Sequence, residues 1–443
     1  MNPNLDFIGI GLGPFNLSLA CLAEPIHDLR SLFLERRDGF DWHPGMLIKG
    51  TTLQNPFLAD LVSLADPRSK FSFLNYCKQE GKLFTYYVRE NYYLGRAEYN
   101  RYCQWAARQL SNLACASRVE RVRYDEASRR YVVSGHHTHT RAPFEHSAPK
   151  LVLGLGSVPK LPSCCAASAP YCIHSSAYLE HKAELQRKRS ITVIGSGQSA
   201  AEIFHDLLKS RDGHGYELNW ITRASRFFPM ETTKFALELI TPDYIDYLSA
   251  LPDAVRDTIV GQQDGLYKGI NATLLNEIYD LLDDRRNQGD HSARLITNCE
   301  LTGCIYDPMA EGYELHFRQC DQDRHFMHLT DGAVFATGYQ PYIPSFLDEI
   351  RHRIRWDSQG RYRLSRDYAI DRNGSEIFVQ NAGVHCHGLT SPDLGVSCHR
   401  NATILRAITG IDHYKIDRDI TLQNFSMPVG DTFFETAEEE LRA

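Results

Sequence analysis

Long hydrophobic runs are missing from this chain of 443 residues. No stretch reaches the roughly 18 apolar residues that a membrane-spanning helix needs, and no cationic segment followed by an apolar one opens the chain. The composition is 43% hydrophobic and 23% charged, with a mean hydropathy of −0.37. These values are typical of a globular protein with a large core. We therefore expect a cytoplasmic protein with no secretory leader and no membrane partner.

An excess of positive charge is also missing, because the formal net charge is −7. Nucleic-acid binding needs clustered lysine and arginine, so we expect no nucleic-acid partner. The twelve cysteines include no C-x-x-C pair, which disfavours a disulfide reductase, and their scatter favours free thiols. The histidines and cysteines of 385-HCH-387 and 398-CH-399 match no zinc spacing, so we expect no metal site.

The first informative segment, 5-LDFIGIGLGPFNLSLACLAE-24, is an apolar strand followed by glycines and a helical pattern. Such glycines permit a tight turn, and backbone N–H groups can then approach a pyrophosphate at the helix N-terminus. The next strand, 31-SLFLE-35, ends in Glu35, where a ribose-binding acid is expected. Strand, turn, helix and terminal acid together predict a dinucleotide site. Its turn consists of Gly9, Gly11, Gly13, Pro14 and Phe15.

A second turn of the same kind lies in 191-ITVIGSGQSAAEIF-204, where Gly195, Gly197 and Ala200 fit the fingerprint. The following strand, 217-ELNWITRASRF-227, carries Arg223 near its end instead of an acid. An arginine can bind the 2′-phosphate of NADPH, which a carboxylate would repel. The sequence therefore predicts NADPH rather than NADH at this second turn.

Two dinucleotide turns predict an α/β flavoprotein with two Rossmann-like domains, one for FAD and one for NADPH, and a small substrate-binding region. We assign residues 1–185 and 300–443 to the FAD domain and residues 186–299 to an inserted NADPH domain, each with substrate-binding elements. Glycine-ended strands at 150–162 and 332–341 are expected at the crossings between them. The acidic tail 431–443 is expected to be partly disordered.

The motifs GxGPFN, 42-WHPGML-47, Gln54 with FLxDL, GSGQSAAE, ATGY and 387-HGL-389 follow one another along nearly the whole chain. In this combination the sequence resembles the bacterial siderophore-pathway N-hydroxylases, which are flavin monooxygenases acting on the side-chain amine of lysine or ornithine, or on diamines. The resemblance implies that NADPH reduces FAD, that dioxygen forms a flavin C(4a)-hydroperoxide, and that a neutral primary amine attacks it while NADP+ is retained. It also implies a homo-oligomer, commonly a tetramer.

The resemblance further implies which residues contact the cofactors, with Gln54 and Asn271 in supporting roles and no certain catalytic side chain. Beyond the first turn and Glu35, the expected cofactor-binding residues are Trp42, His43, Met46, Gln54, Gly195, Ser196, Gly197, Gln198, Ser199, Arg223, Asn271, Thr337, Gly338 and Leu394.

Three positions depart from the amino-acid hydroxylases at the contacts with the substrate's α-carboxylate. A lysine of that group is Ala59 here, an asparagine is Leu237, and a serine is Gly395. A carboxylate buried without a cation is costly, so a diamine, cadaverine or putrescine, is the expected substrate. Glu238 and Asp60 are candidates for its second ammonium, and the substrate-binding set is Ala59, Leu237, Glu238, Asn271 and Gly395.

Three alternatives stay open at this point. A lysine or ornithine N-hydroxylase could anchor the carboxylate through Lys49 or Lys70 instead. An electron-transferring flavoprotein reductase is disfavoured by the missing C-x-x-C pair. A sensor protein would hold FAD and NADPH without turnover, and its dioxygen consumption would not respond to any amine.

Overall fold

The computed structural model describes residues 4–427, so the predicted acidic tail 431–443 lies outside the described residues. Its strands are β1 Phe7–Ile10, β2 Ser31–Leu34, β3 Thr52–Pro56, β4 Tyr93–Gly95, β5 Leu113–Ala114, β6 Ser117–Asp125, β7 Arg130–His137, β8 Pro143–Ala148, β9 Lys150–Leu153, β10 Ser157–Pro159, β11 Ile173–His174, β12 Ser190–Ile194, β13 Glu217–Ile221, β14 Ala293–Ile296, β15 Cys299–Asp307, β16 Gly312–Gln319, β17 Arg324–Thr330, β18 Gly332–Phe335, β19 Tyr339–Pro341 and β20 Ile377–Val379.

The α-helices are α1 Pro14–Ala23, α2 Phe73–Gln79, α3 Leu83–Arg89, α4 Arg96–Ala107, α5 Tyr178–Leu185, α6 Gln198–Ser210, α7 Lys234–Leu237, α8 Pro242–Ala250, α9 Asp253–Gln262, α10 Asp264–Tyr267, α11 Ala272–Asn287, α12 Val384–His387 and α13 Ser397–Thr409. Short 3-10 helices lie at Pro44–Met46, Ser163–Tyr171, Ser175–Ala177, Arg211–Gly213, Ser345–Arg353 and Gly388–Thr390. Across residues 4–427, no helix is long and apolar enough to cross a membrane.

Two parallel sheets form the framework. The first has the strand order β20-β9-β1-β2-β5 and the second β11-β18-β12-β13-β14, with every neighbouring pair parallel. Strands β1, β18 and β20 are buried along their whole length, as expected when helices cover both faces of a parallel sheet. This arrangement confirms the predicted α/β class and both predicted strand–turn–helix units.

Smaller antiparallel sheets accompany the two parallel ones, with the orders β6-β7-β8 and β15-β16-β17. Strands β10 and β19, which follow the two glycine-ended strands, pair with each other in antiparallel register. The second parallel sheet includes β11 and β18, so it uses chain on both sides of the predicted insertion 186–299. The domain boundaries themselves stay a prediction.

Candidate active site

The turn after β1 leaves no room for side chains. Gly11 has a φ of +88°, and a Cβ built on it would lie 2.4 Å from the backbone oxygen of Gly154 at the end of β9. The buried side chain of Asn16 closes the inner side of the turn by donating its amide N–H to the Gly11 oxygen over 2.7 Å. Gly9 packs against the ring of Phe33, which a Cβ would meet at 2.2 Å. The close approach of the Gly154 backbone therefore requires Gly11, and the Phe33 ring requires Gly9.

The N-terminus of α1 is open beside this turn. Gly13 is its N-cap residue with extended backbone, Pro14 is its first residue, and the space around a Gly13 Cβ is free for 4 Å within the described chain. A helix start of this kind presents unpaired N–H groups to an anion. Phe15, the next residue, lies under the guanidinium of Arg400 and accepts a hydrogen bond from Asn401 on its backbone oxygen.

Glu35 follows β2 and is buried directly beneath the first turn. Its carboxylate accepts the backbone N–H of Leu12 at 2.7 Å and that of Arg37 at 2.9 Å, and Arg37 also pairs with it through the guanidinium. The predicted ribose-binding acid therefore lies at the cofactor turn and also fixes the conformation of that turn.

The second turn repeats the first one at the end of β12. Gly195 has a φ of +147°, and a Cβ on it would lie 2.3 Å from the backbone oxygen of Ala336 at the end of β18. Gly197 is the N-cap of α6, and Ser196, Gln198 and Ser199 are half-buried around the helix start. The geometry fits a second pyrophosphate.

Arg223 follows β13 at the outer end of this turn. Its side chain is 77% exposed and its nearest acidic partner, Glu300, is 3.9 Å away, so the guanidinium is available to a ligand. The preceding Thr222 is buried and orders the loop through a bond from the Ala224 N–H. Arg226 lies over the ring of Phe228.

A hydrogen-bonded chain links the side chains that the sequence associates with the reaction centre. Asn271 donates its side-chain N–H to Gln54 Oε1 at 3.0 Å, and its backbone N–H donates to Gln198 Oε1 at 2.8 Å. Its Oδ1 accepts the N–H of Leu274 and so caps α11. Asn271 is thereby fixed between β3, from the region of the first turn, and α6, from the second.

The same chain continues to a buried ion pair. Gln198 Nε2 donates to Glu202 on the next turn of α6, and Glu202 forms two 2.7 Å bonds with the guanidinium of Arg96 at the start of α4. Arg96 also donates to the backbone oxygen of Met46. Glu202 is 2% exposed. Arg96 lies outside every motif of the sequence, and the only local signal for Glu202 is its place at the end of GSGQSAAE.

Aromatic rings gather on the flavin side of the predicted site. Trp42 and His43 pack edge-to-face, and His43 packs in the same way on Tyr339, whose preceding residue Gly338 has a φ of +83°. Gly338 accepts a bond from the His174 ring on its oxygen. The structure thus brings 42-WHPGML-47 and the ATGY motif together, although the two lie about 300 residues apart.

Two further predicted cofactor residues have structural contacts within the chain. Thr337 donates its hydroxyl to the backbone oxygen of Lys160, and Leu394 packs on the core of the first sheet.

Ala59, Asn55 and Asp393 form a small corner around Gly395. The atoms nearest to a Cβ built on Gly395 are Asp393 Oδ1 at 3.0 Å, Ala59 Cβ at 3.5 Å and Asn55 Nδ2 at 4.0 Å. Asn55 donates to Asp393 Oδ2 over 2.8 Å. Two of the three predicted carboxylate-contact positions, Ala59 and Gly395, are therefore adjacent. The group beside them is an acid.

The third such position, Leu237, is 46% exposed on the short helix α7 and supplies none of the atoms nearest to Gly395. The next residue, Glu238, accepts the backbone N–H groups of Leu422 and Gln423 and so holds the C-terminal segment. Asp60 is buried, and its carboxylate accepts N–H groups from Val62, Ser63 and Phe73 and the Ser63 hydroxyl. Both predicted ammonium partners already have partners within the chain.

The two lysines of the alternative anchoring scheme lie on the surface. Lys70 pairs with Glu24 at 2.8 Å with 56% of its side chain exposed, and Lys49 is exposed as well.

Sulfur atoms converge elsewhere in the structure. Across residues 4–427, the only group with metal-like spacing is Cys165, Cys172 and Cys304, whose sulfurs lie within 4.8 Å of one another. Cys165 and Cys304 are buried in an apolar core of the second sheet. Buried thiols in such a core pack as small apolar side chains.

Comparison with known proteins places this geometry in one family. Residues 3–341 match the family model of L-lysine 6-monooxygenase/L-ornithine 5-monooxygenase. The chain belongs to that family of N-monooxygenases. The prediction of the family and of an enzyme is therefore confirmed.

Three relatives show how close the similarity is. The alcaligin biosynthesis enzyme of Bordetella pertussis is 56% identical, over 96% of this chain and 92% of that one. The putrescine N-hydroxylase of Shewanella oneidensis is 48% identical, over 95% and 84%. The crystal structure of the FAD-bound cadaverine monooxygenase of desferrioxamine biosynthesis from Erwinia amylovora has a TM-score of 0.94 at 49% identity, over 96% and 99%.

Proposed function

We propose that the protein is an FAD- and NADPH-dependent monooxygenase that hydroxylates one primary amine of an aliphatic diamine, cadaverine or putrescine. The reaction would be an early step of hydroxamate siderophore biosynthesis. The observation that carries the choice of substrate is the corner of Ala59 and Gly395. Where the amino-acid hydroxylases are expected to have a lysine, this chain has a methyl group near the half-buried carboxylate of Asp393.

The two glycine turns would hold the two cofactors. The N-terminus of α1 would bind the FAD pyrophosphate above Glu35, and the N-terminus of α6 would bind that of NADPH, with Arg223 on the 2′-phosphate. FAD held at the first turn would supply the redox chemistry: with electrons from NADPH, one oxygen atom of dioxygen would go to the amine and the other would leave as water.

The chain's own side chains position the reactants and protect them from water. Gln54 and Asn271 hold each other, and through Gln198 they link β3 to the start of α6. The nucleophile is a neutral amine, whereas a free alkylamine with a pKa of about 10 is protonated at neutral pH. Partial desolvation of the reacting end favours the neutral form. None of these residues is assigned a proton-transfer step.

Two relatives support a diamine, since one is named a putrescine N-hydroxylase and another a cadaverine monooxygenase. The proposal includes a cytoplasmic location, where the thiols stay reduced, and a homo-oligomer, by family resemblance a tetramer.

The test is a coupled assay of hydroxylamine formed per NADPH oxidised, with cadaverine, putrescine, L-lysine and L-ornithine. We expect a diamine to exceed both amino acids by about tenfold or more in kcat/KM, a difference of about 1.4 kcal/mol in transition-state binding. A preference for lysine or ornithine would overturn the proposal. Dioxygen consumption unaffected by every amine would favour the sensor alternative.

A further inference from the structure

Asp393 lies at the Gly395 corner, and hydrogen bonds within the chain satisfy only part of its carboxylate. Oδ1 accepts the N–H of Gly395 at 2.7 Å and of Val396 at 3.1 Å, which is the geometry of a side chain that caps a turn. Oδ2 accepts one bond, from the Asn55 amide. A carboxylate has about four acceptor positions, so Oδ2 keeps capacity for another donor.

The carboxylate of Asp393 has no direct ion pair. Burial raises the pKa of Asp393, while the bonds from Asn55, Val396 and Gly395 and the more distant charge of Arg400 act in the opposite direction. Among residues 4–427, no lysine, arginine or histidine forms an ion pair with it. The nearby cation of Arg400 is directed to the backbone oxygens of Gln380, Thr390 and Ser391. A half-buried carboxylate with a free acceptor position is stabilised further by a cation that arrives with a ligand.

Asp60 provides the contrast. It is 1% exposed, whereas Asp393 is only half-buried, and four hydrogen bonds from Val62, Ser63 and Phe73 satisfy its carboxylate. Asp393 is held by the turn on one oxygen and by a single amide on the other.

We propose that Asp393, supported by Asn55, binds the non-reacting ammonium of the diamine. The inference rests on the proposed function and names the group that selects its substrate. An ammonium has three N–H donors, which Asp393 Oδ2 and the amide oxygen of Asn55 can accept. The position that a lysine occupies in amino-acid hydroxylases is Ala59 here, and its neighbour is an acid. The charge of the corner is therefore inverted, which excludes an α-carboxylate and retains a second amine.

The experiment compares each diamine with the monoamine of the same chain length: cadaverine with n-pentylamine and putrescine with n-butylamine. In the wild-type holoenzyme we expect the diamine to exceed its monoamine by about tenfold or more in kcat/KM, mainly through a lower KM. Asp393→Asn keeps an oxygen for the turn and removes the charge. It should bring the diamine-to-monoamine ratio close to one, mainly by raising the KM for the diamine.

A second variant keeps the test decisive if Asp393→Asn fails to fold or to retain FAD. Asp393→Glu preserves the charge and advances it by one methylene, so it should still prefer diamines and shift the preference towards putrescine. The matched control is Asp371→Asn, because Asp371 also caps a turn, through Ser375 and Glu376, and is not among the groups nearest to Gly395. Its diamine-to-monoamine ratio should equal the wild-type value.

The outcomes separate the two proposals. If Asp393→Asn keeps the wild-type ratio, or if Asp393→Glu discriminates no better than Asp393→Asn, Asp393 is not the ammonium site even though the enzyme uses diamines. If the wild type prefers lysine or ornithine to both diamines, the proposed function itself is wrong. Calorimetric titration of the oxidised enzyme with cadaverine supplies a readout independent of turnover, and Asp393→Asn should weaken that binding.

Discussion

Replacing Ala59 by lysine would return to this chain the cation expected in the amino-acid hydroxylases, but at a corner that has changed around it. Ala59 Cβ lies 3.5 Å from the point where a Gly395 Cβ would be, and that point is 3.0 Å from Asp393 Oδ1. The side chain of a lysine is long enough to span this distance. We therefore expect the introduced ammonium to pair with Asp393 and to take the place of the diamine's own ammonium.

The magnitude follows from the charges. Two unit charges about 4 Å apart at an effective dielectric constant of about 20 interact by about 4 kcal/mol. A substrate that lost this interaction would lose up to about a thousandfold in affinity, since each ~1.4 kcal/mol is a factor of ten. Ala59→Lys should accordingly lower kcat/KM for cadaverine and putrescine by about a hundredfold to a thousandfold. It should not by itself create activity towards lysine, because Asp393 neutralises the new cation.

Two further variants separate charge from bulk. Ala59→Met adds a side chain of similar length without charge, so its loss measures bulk alone and should be the smaller one. Ala59→Lys with Asp393→Asn releases the introduced ammonium to bind an α-carboxylate, and measurable hydroxylation of lysine or ornithine should follow. The assay is hydroxylamine formed per NADPH oxidised. The reasoning is refuted if Ala59→Lys keeps wild-type diamine activity, or if it accepts lysine as well alone as with Asp393→Asn.

Three other predictions concern the cofactor turns and the connection between them. The Gly11→Ala variant should purify with less than half of the wild-type flavin content. The Gly50→Ala control should keep its flavin, because Gly50 has nearly the same φ of +87° but open space around its Cβ. Equal flavin contents in the two variants would contradict the assignment of the turn. The Arg223→Ala variant should raise the KM for NADPH about tenfold or more and leave the KM for NADH unchanged. An equal rise of both KM values would show that Arg223 does not bind the 2′-phosphate. The Glu202→Gln variant leaves the Arg96 guanidinium buried without its anion. It should lower the free energy of unfolding by about 3–5 kcal/mol, measured by denaturant titration. A loss below about 1 kcal/mol would mean that water replaces the carboxylate.

Local patterns carried the prediction of the cofactor turns. Gly11 and Gly195 need positive φ and a neighbouring backbone within contact distance, and both requirements leave a glycine signature within a few residues of a strand. Glu35 follows by simple spacing from the first turn. For this reason the fold class and the strand–turn–helix units could be predicted from sequence.

Contacts between distant parts of the chain could not be predicted in this way. Asn55 and Asp393 are 338 positions apart, and Arg96 and Glu202 are 106 apart. Each side chain is unremarkable in its own segment, and its role depends on which segments the fold brings together. Glu238 is a residue for which sequence proximity is misleading. It follows the predicted substrate-binding position Leu237, yet its carboxylate accepts hydrogen bonds from the backbone of residues 422–423.

Strand β3 would connect the two ends of the proposed substrate site. Along β3, Gln54 accepts a hydrogen bond from Asn271, and the next residue, Asn55, donates one to Asp393. The first bond belongs to the chain that reaches α6 and the second to the corner that would hold the distal ammonium. A single step along the backbone thus sets the distance between the reacting end and the charged end. One methylene in an apolar pocket is worth only about 1–3 kcal/mol, so we expect the choice between four and five carbons to depend on that distance as well as on the pocket wall. Changes that shift β3, and not only changes at Asp393, should therefore alter the preference between putrescine and cadaverine.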